Sequence, residues 1–244
     1  SGRLEAVKVT FSNARKVEDL YEKITKNVGV SPAEFKDALH DFIDNNPEGF
    51  TSETIIAMFI PNTYEVYFNV SPEDLVHKLY QEYKLFWNEE RLTKAKAIGL
   101  TPIEVSTLAS IVLAENHRED EAPRIAGLYM NRLKMNMALQ ADPTLVYAVG
   151  DFSIKRVLNE HKEIDSPYNT YKYVGLPPGP INMPKVSMID AVLNYETHKY
   201  IYMCSREDFS GYHNFANNYD EHMRNARKYQ RALTAEQRKA ASAR

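Results

Sequence analysis

Between residues 17 and 28, Val17, Leu20, Tyr21, Ile24 and Val28 recur at helical spacing, so one stripe of the segment is apolar and the rest polar. Ser31-Pro32-Ala33-Glu34 follows, with a Ser N-cap, a Pro at the first helical position and a Glu at the third; it opens a second helix over 32–44. On either side the period shortens to two. Residues 7–11 alternate weakly as a short strand, and residues 55–68 are β-rich with a break at Pro61-Asn62. Strand, helix, helix, strand makes a small α/β module over residues 1–70. Ser71-Pro72-Glu73-Asp74 starts another helix in the same way. Leu75, Leu79, Tyr83, Leu85 and Phe86 carry it towards Ala97, and Gly99 ends it. This connecting helix, residues 71–100, is the expected joint. No Gly/Ser-rich linker flanks it, so the two halves are expected to pack together rather than swing.

The second half, residues 101–244, is mainly helical. Thr101-Pro102-Ile103-Glu104 is a third capped start. A helix over about 123–134 follows, then a short one opened by Asp142 as N-cap with Pro143 behind it, and further helical segments at 153–164 and 187–196. Gly175-Leu176-Pro177-Pro178-Gly179-Pro180 cannot be helix and must be an ordered loop. Residues 200–205 and 212–215 read as a β-hairpin turning at Ser210-Gly211, and from Tyr219 the chain is helical to a polar, Arg-rich tail. The fold class is therefore α+β: a small α/β module followed by a mainly helical domain with a short β-hairpin.

The chain of 244 residues is 43% hydrophobic and 26% charged, the balance of a folded globular protein. A net charge of -3 gives no electrostatic reason to bind nucleic acid. Sixteen tyrosines against one tryptophan suit a groove for a polar ring-shaped ligand, although most tyrosines at such a density lie at core edges. The single cysteine, Cys204, excludes an intramolecular disulfide and a thiolate metal cage; within Ile201-Tyr-Met-Cys-Ser205 it reads as a buried structural thiol. No stretch approaches the roughly 20 apolar residues of a membrane span, and no signal peptide opens the chain. It begins Ser-Gly-Arg without a Met, so a targeting or anchoring segment is expected to lie outside this sequence.

One position breaks the hydrophobic pattern. On the helix after Thr101, Leu108, Ile111 and Val112 form an i, i+3, i+4 stripe, and the i+7 place is Glu115. A carboxylate on an apolar stripe loses hydration in its charged form, so its pKa rises unless a cation stands beside it. A raised acid is what protonation of a glycosidic leaving oxygen needs. The alternative is structural. The next helix carries Ile125, Leu128 and Tyr129 on one stripe completed by Arg132, and an interhelical Glu115–Arg132 ion pair would lower the glutamate instead. The spacing leaves both readings open. Other chemistries find no support. His117 and Glu121 are four apart, but no HExxH occurs and the seven histidines make no zinc spacing. Ser106 and Ser110 share the Glu115 helix without a GxSxG elbow or an SxxK. No P-loop or GxGxxG exists. Neither a metal nor a cofactor is expected.

Three polar clusters remain. In Leu139-Gln140-Ala141-Asp142-Pro143-Thr144, Asp142 is explained as an N-cap, whereas Gln140 is free to meet a sugar hydroxyl or acetamido group. Ser166-Pro-Tyr-Asn-Thr-Tyr171 with the following proline-rich loop is either a turn scaffold or a stiff wall for a polymer. Gly211-Tyr-His-Asn-Phe215 puts His213 and Phe215 on one strand face.

Taken in order, Ala109-Ser-Ile-Val-x-x-Glu115, Tyr129-x-Asn-Arg-Leu133, Leu139-Gln-x-Asp-Pro-Thr144, Tyr168-Asn-Thr-Tyr171, Gly175-Leu-Pro-Pro-Gly-Pro-Ile181 and Gly211-x-His-x-Phe215 resemble the YceG-like endolytic murein transglycosylases of the MltG type. The resemblance spans about residues 101–230. Asn62-Thr-Tyr-Glu65 and the small module resemble, less specifically, the LysM-like region of that family. The resemblance implies cleavage of the MurNAc–GlcNAc β-1,4 bond within peptidoglycan glycan strands without water, leaving anhydro-muramic ends. It places the catalytic acid on Glu115. Members often carry two glutamates spaced E-x-E here; this chain has Leu113 at the first, so one carboxyl serves as acid and then base. Ser110, Arg132, Gln140, Asp142, Thr144, Asn169, Tyr171 and His213 are the implied substrate-binding residues. The resemblance also implies an N-terminal membrane anchor, an enzyme domain outside the cytoplasmic membrane, and contact with peptidoglycan synthases. A lysozyme-like muramidase and a non-catalytic peptidoglycan-binding protein are the rival expectations.

Overall fold

The computed structural model describes residues 4–244; Ser1 to Arg3, which the first module was expected to include, lie outside the described residues. Strand β1 (Ala6–Phe11) pairs antiparallel with β2 (Asn62–Tyr67), Val9 facing Tyr64 across the ladder. Its alternation sends Val9 and Phe11 inward, while Thr10 bonds Thr63 on the outer face at 2.9 Å. Two helices, α1 (Tyr21–Thr25) and α2 (Pro32–Asp44), cover the inner face. Phe11, Phe35 and Phe59 meet edge to face with centroids 6.1 and 6.4 Å apart, each ring contributing about 1.5–3 kcal/mol by burial. The capping box predicted at Ser31 and Glu34 is present in both directions.

Local detail departs from the sequence reading at four places. The 17–28 stripe is not one helix: a 3-10 turn (Val17–Leu20) leads into α1, and Val28 is buried beyond its end. The β-rich run from 55 begins as a buried 3-10 turn (Ile55–Met58), and only β2 is strand. The connecting helix is two helices, α3 (Pro72–Phe86) and α4 (Glu89–Ala97). The break falls where the Asn88 side chain accepts the Arg91 N–H at 2.9 Å and recaps the chain. Residues 153–164 are turns with a single 3-10 turn (His161–Glu163). Their apolar residues are too sparse to bury a stripe, and Leu158 stays exposed.

Helix α5 (Pro102–Glu115) leaves α4 at a 78° bend. Residues 105–112 are buried on every side, and the Thr107 and Ser110 hydroxyls among them donate back to helix carbonyls. Around it pack α6 (Ala122–Lys134), α7 (Asp142–Val149) and α8 (Val186–Leu193). The hairpin of β3 (Tyr202–Ser205) and β4 (His213–Ala216) follows, with Met203 opposite Phe215. Helix α9 (Tyr219–Ser242) begins against the hairpin and buries none of its residues.

The module and the helical half meet without a gap, and the buried cluster runs from Val9 to Phe215. The proline-rich loop makes the seam. A Cβ on Gly179 would lie 2.2 Å from the Glu53 carbonyl oxygen, so only glycine allows this approach. Met183 N–H donates to the Ala14 carbonyl at 2.8 Å, and Arg91 binds Asp190, joining α4 to α8, at 3.1 Å. Mixed helix and sheet in this arrangement is the expected α+β class. Among the described residues no single helix is long and apolar enough to cross a membrane.

Candidate active site

Helix α5 ends at Glu115, where its buried stretch runs out into a groove. The groove has two lobes, of about 890 and 330 Å3, and Glu115 and Asp142 line both. Glu115 therefore stands where the lobes meet. The larger lobe continues between the N-terminal module, α7 and the 151–158 loop; the smaller one continues between α6 and the hairpin.

Glu115 is partly buried, and its surroundings push its pKa up to about 7. Burial is the main cause, the negative charge of Asp142 adds to it, and the Tyr129 hydroxyl pulls the other way. Its place in the last turn of a helix, at the negative end of the dipole, also disfavours the carboxylate. The ion pair with Arg132 is not made. The Arg132 Nε donates to the Ile201 carbonyl at 2.7 Å and a terminal nitrogen to the Ala138 carbonyl at 2.6 Å. The guanidinium also lies 5.2 Å from the Tyr202 ring centroid. Arg132 thus fastens the loop after α6 to the start of the hairpin, while still bordering the smaller lobe.

The remaining predicted residues divide sharply. Gln140, Asp142, Tyr171 and His213 border the smaller lobe with Glu115. Asp142 is not the N-cap: Ala141 holds that place, and Asp142 is the first residue of α7. Freed from capping, its carboxylate accepts the Tyr171 hydroxyl. Gln140 is exposed at φ 52, held by its N–H to the Thr170 carbonyl. His213 is fixed from behind: its Nδ1 lies 2.6 Å from Glu121 Oε1, and its N–H donates to the same carboxylate.

Ser110, Thr144 and Asn169 do not reach the groove, and the sequence reading of them as substrate-binding is corrected. All three have no exposed surface. The Ser110 hydroxyl donates to the Thr107 carbonyl and accepts the Ile181 N–H, anchoring the proline-rich loop to α5. Thr144 bonds Ala141 and Thr170, tying α7 to the 166–171 turn. Asn169 donates to the carbonyls of Lys162 and Ile164 and accepts two N–H groups, folding that turn on itself. Their motifs are scaffold, and their polarity is spent on the backbone.

Some residues that matter were missed. Tyr129 touches the acid, and its phenol pKa is raised well above normal by burial and by Glu115. A hydroxyl on the apolar stripe facing Glu115 was the available signal. In the sequence Glu121 stands out only by its four-residue spacing from His117. His222 stacks on Tyr202 with centroids 4.9 Å apart and borders the smaller lobe. Nothing in the sequence joined it to residues 90 positions earlier. Cys204 is half-buried in the lobe wall rather than buried, and burial raises its thiol pKa. Most consequential, the N-terminal module contributes Asn13, Arg15, Asp19 and Lys23 to the larger lobe.

The groove thus continues on both sides of a carboxyl whose pKa is raised to about 7 and which no cation offsets. The fold matches the crystal structure of a yceG-like protein from Listeria monocytogenes with TM-score 0.70 and 25% identity, over 89% of this chain and 75% of that one. The YceG-like family model matches residues 1–228, and the chain belongs to that family. Among its relatives are the endolytic murein transglycosylase of Bacillus subtilis, 34% identical over 57% of this chain, and that of Streptococcus pneumoniae, 31% identical over 68%. The matches cover 38% and 30% of those relatives, so the chain spans well under half of their length.

Proposed function

We propose that this chain is an endolytic murein transglycosylase that cuts the MurNAc–GlcNAc β-1,4 bond inside a glycan strand without water. The observation that carries the reading is Glu115 itself, a carboxyl with a pKa about 7 at the junction of two lobes and free of a cation. A groove continuing on both sides of the acid suits a bond with sugars on either side.

Glu115 in its neutral form gives its proton to the glycosidic oxygen as the C1–O4 bond breaks, the bonding pair leaving with that oxygen. The acetamido oxygen of the same muramic residue shields the positive charge growing at C1. The Glu115 carboxylate then takes the proton of the C6 hydroxyl, and O6 closes on C1. The products are an anhydro end and a free 4-hydroxyl, with the acid restored. No water enters, so the second carboxylate of a hydrolase is unnecessary. Asp142 borders the site as an electrostatic neighbour that helps keep Glu115 protonated. Gln140, Tyr171, His213 and Arg132 are assigned to substrate.

In this reading residues 1–70 form a LysM-like module, 71–100 the connection and 101–244 the catalytic domain. The enzyme works outside the cytoplasmic membrane beside nascent strands, held by an N-terminal anchor and in contact with peptidoglycan synthases. The test is to incubate uncrosslinked glycan with the wild type and with Glu115→Gln and weigh the products. Ends lighter by one water than reducing ends are expected from the wild type alone. Reducing ends would make the protein a muramidase. Cleavage by Glu115→Gln at the wild-type rate would remove Glu115 as the acid, and no cleavage by either would favour a binding protein.

A further inference from the structure

The larger lobe has a charge pattern that the cleavage chemistry does not use. Arg15 and Lys23 from the N-terminal module and Lys155 from the 151–158 loop all line it and are all exposed. Among the described residues none of the three side-chain cations has a carboxylate oxygen within 4.0 Å of its charged nitrogens. Lys23 Nζ is steered by neutral partners, the backbone and side-chain oxygens of Asn13, both at 3.2 Å. The Arg15 guanidinium lies 4.2 Å from the centroid of the Phe152 ring, which orients it without offsetting its charge. The lobe's acidic residues are Asp19, Asp142 and Glu115. Asp19 is turned to the backbone N–H groups of Arg15 and Lys16 at 3.1 and 3.0 Å, Asp142 accepts the Tyr171 hydroxyl, and Glu115 lies at the far junction with the smaller lobe. In a chain of net charge -3, three unpaired cations lining one lobe are not a reflection of composition.

Resting on the cleavage reading above, we infer that Arg15, Lys23 and Lys155 form a carboxylate-binding subsite that selects glycan strands by their acidic substituents. A bare β-1,4 amino-sugar backbone is neutral, with only hydroxyl and acetamido groups. The anionic groups of a murein strand are the carboxylates of its stem peptides or, where the peptide is gone, of the lactyl ether it leaves. Cations facing the strand therefore read the side branches, not the sugar ring. The N-terminal module is in this way a wall of the substrate site. Contacts of this kind act through a field screened over about 8 Å at physiological salt, so the preference is expected to fade as salt rises.

Binding to Glu115→Gln, which cannot turn its ligand over, tests this by calorimetry with three probes of equal length: peptide-bearing glycan, peptide-free glycan retaining lactyl carboxylates, and neutral chito-oligosaccharide. Peptide-bearing strands are expected to bind roughly tenfold more tightly than chito-oligosaccharide at low salt. The advantage should shrink at high salt and collapse when Arg15→Gln, Lys23→Gln and Lys155→Gln are added. The salt series needs no further substitution, so it stands even if the combined variant folds poorly. Equal gains for both murein probes, lost in the combined variant, would support the subsite with the lactyl group as its ligand. Equal affinity for all three probes, or a ranking that survives the combined variant, overturns the subsite and leaves the cleavage reading standing. Binding of none of them overturns both.

Discussion

Glu115 and Glu121 lie six residues apart around one turn of the chain, and their surroundings treat them in opposite ways. Glu121 is 6% exposed, and its two oxygens take the backbone N–H and the Nδ1 of His213. Through these bonds it fixes the histidine ring that borders the smaller lobe. Glu115 ends a helix on the unfavourable side of its dipole, faces another carboxylate, and has a tyrosine hydroxyl as its counterweight. Burial alone does not make a proton donor. At Glu115 burial and the charge of Asp142 outweigh the one hydroxyl of Tyr129, whereas at Glu121 two donors of His213 meet the carboxyl.

The largest effect is expected from Glu115→Gln, which keeps the shape and removes the proton. Cleavage of purified uncrosslinked glycan should fall by about 10²–10⁴-fold, followed by mass analysis of the products. A residual rate within tenfold of wild type would put the acid elsewhere. Glu121→Ala should act on the fold first. It strands two donors of His213 that are buried with it, at a cost of about 2–4 kcal/mol. Urea unfolding should show the loss as a shifted midpoint with an unchanged slope. If stability holds and only activity disappears, Glu121 belongs to the chemistry and not to the scaffold.

The third expectation is a gain. Glu115 titrates about 7 in the folded protein against an ordinary value of 4.5. Below the lower value both states hold the proton and its contribution is complete. As pH rises between the two values the unfolded chain releases a proton that the folded chain keeps, so stability declines and levels off above about 7. Glu115→Gln, which never ionises, should therefore match the wild type near pH 4 and exceed it near pH 8 by on the order of 3 kcal/mol. Urea midpoints at the two pH values measure it. A gain of equal size at both would assign it to packing instead of ionisation.

Legibility in the sequence followed the range of the interactions. Capped helix starts at Ser31, Ser71 and Thr101 are local, a few residues in reach, and all three have the expected side-chain bond to the backbone. Glu115 was visible because it violates a local period. The failures are long-range. Asp142 has the sequence of an N-cap, yet it takes the Tyr171 hydroxyl 29 residues away. Ser110, Thr144 and Asn169 carry the residue types of a sugar site but are consumed by loop ends that only the folded chain brings near. The same limit hid the N-terminal contribution to the groove, since residues 13–23 and 113–117 share no pattern, only a wall.

The smallest expected effect probes the neighbour that keeps Glu115 protonated. Asp142→Asn removes a charge that raises the Glu115 pKa while leaving the burial that raises it more. In the free enzyme kcat/KM needs Glu115 neutral, so wild-type activity should fall as pH climbs through about 7. With the charge of Asp142 gone, that descending limb should move to lower pH, and at pH 7 the variant should be slower by roughly two- to fivefold. The position of the limb separates this role from substrate binding: a lost contact lowers the whole profile without moving its midpoint, whereas a lost charge moves it. An unmoved midpoint would mean that burial and the end of α5 hold the proton on Glu115 by themselves.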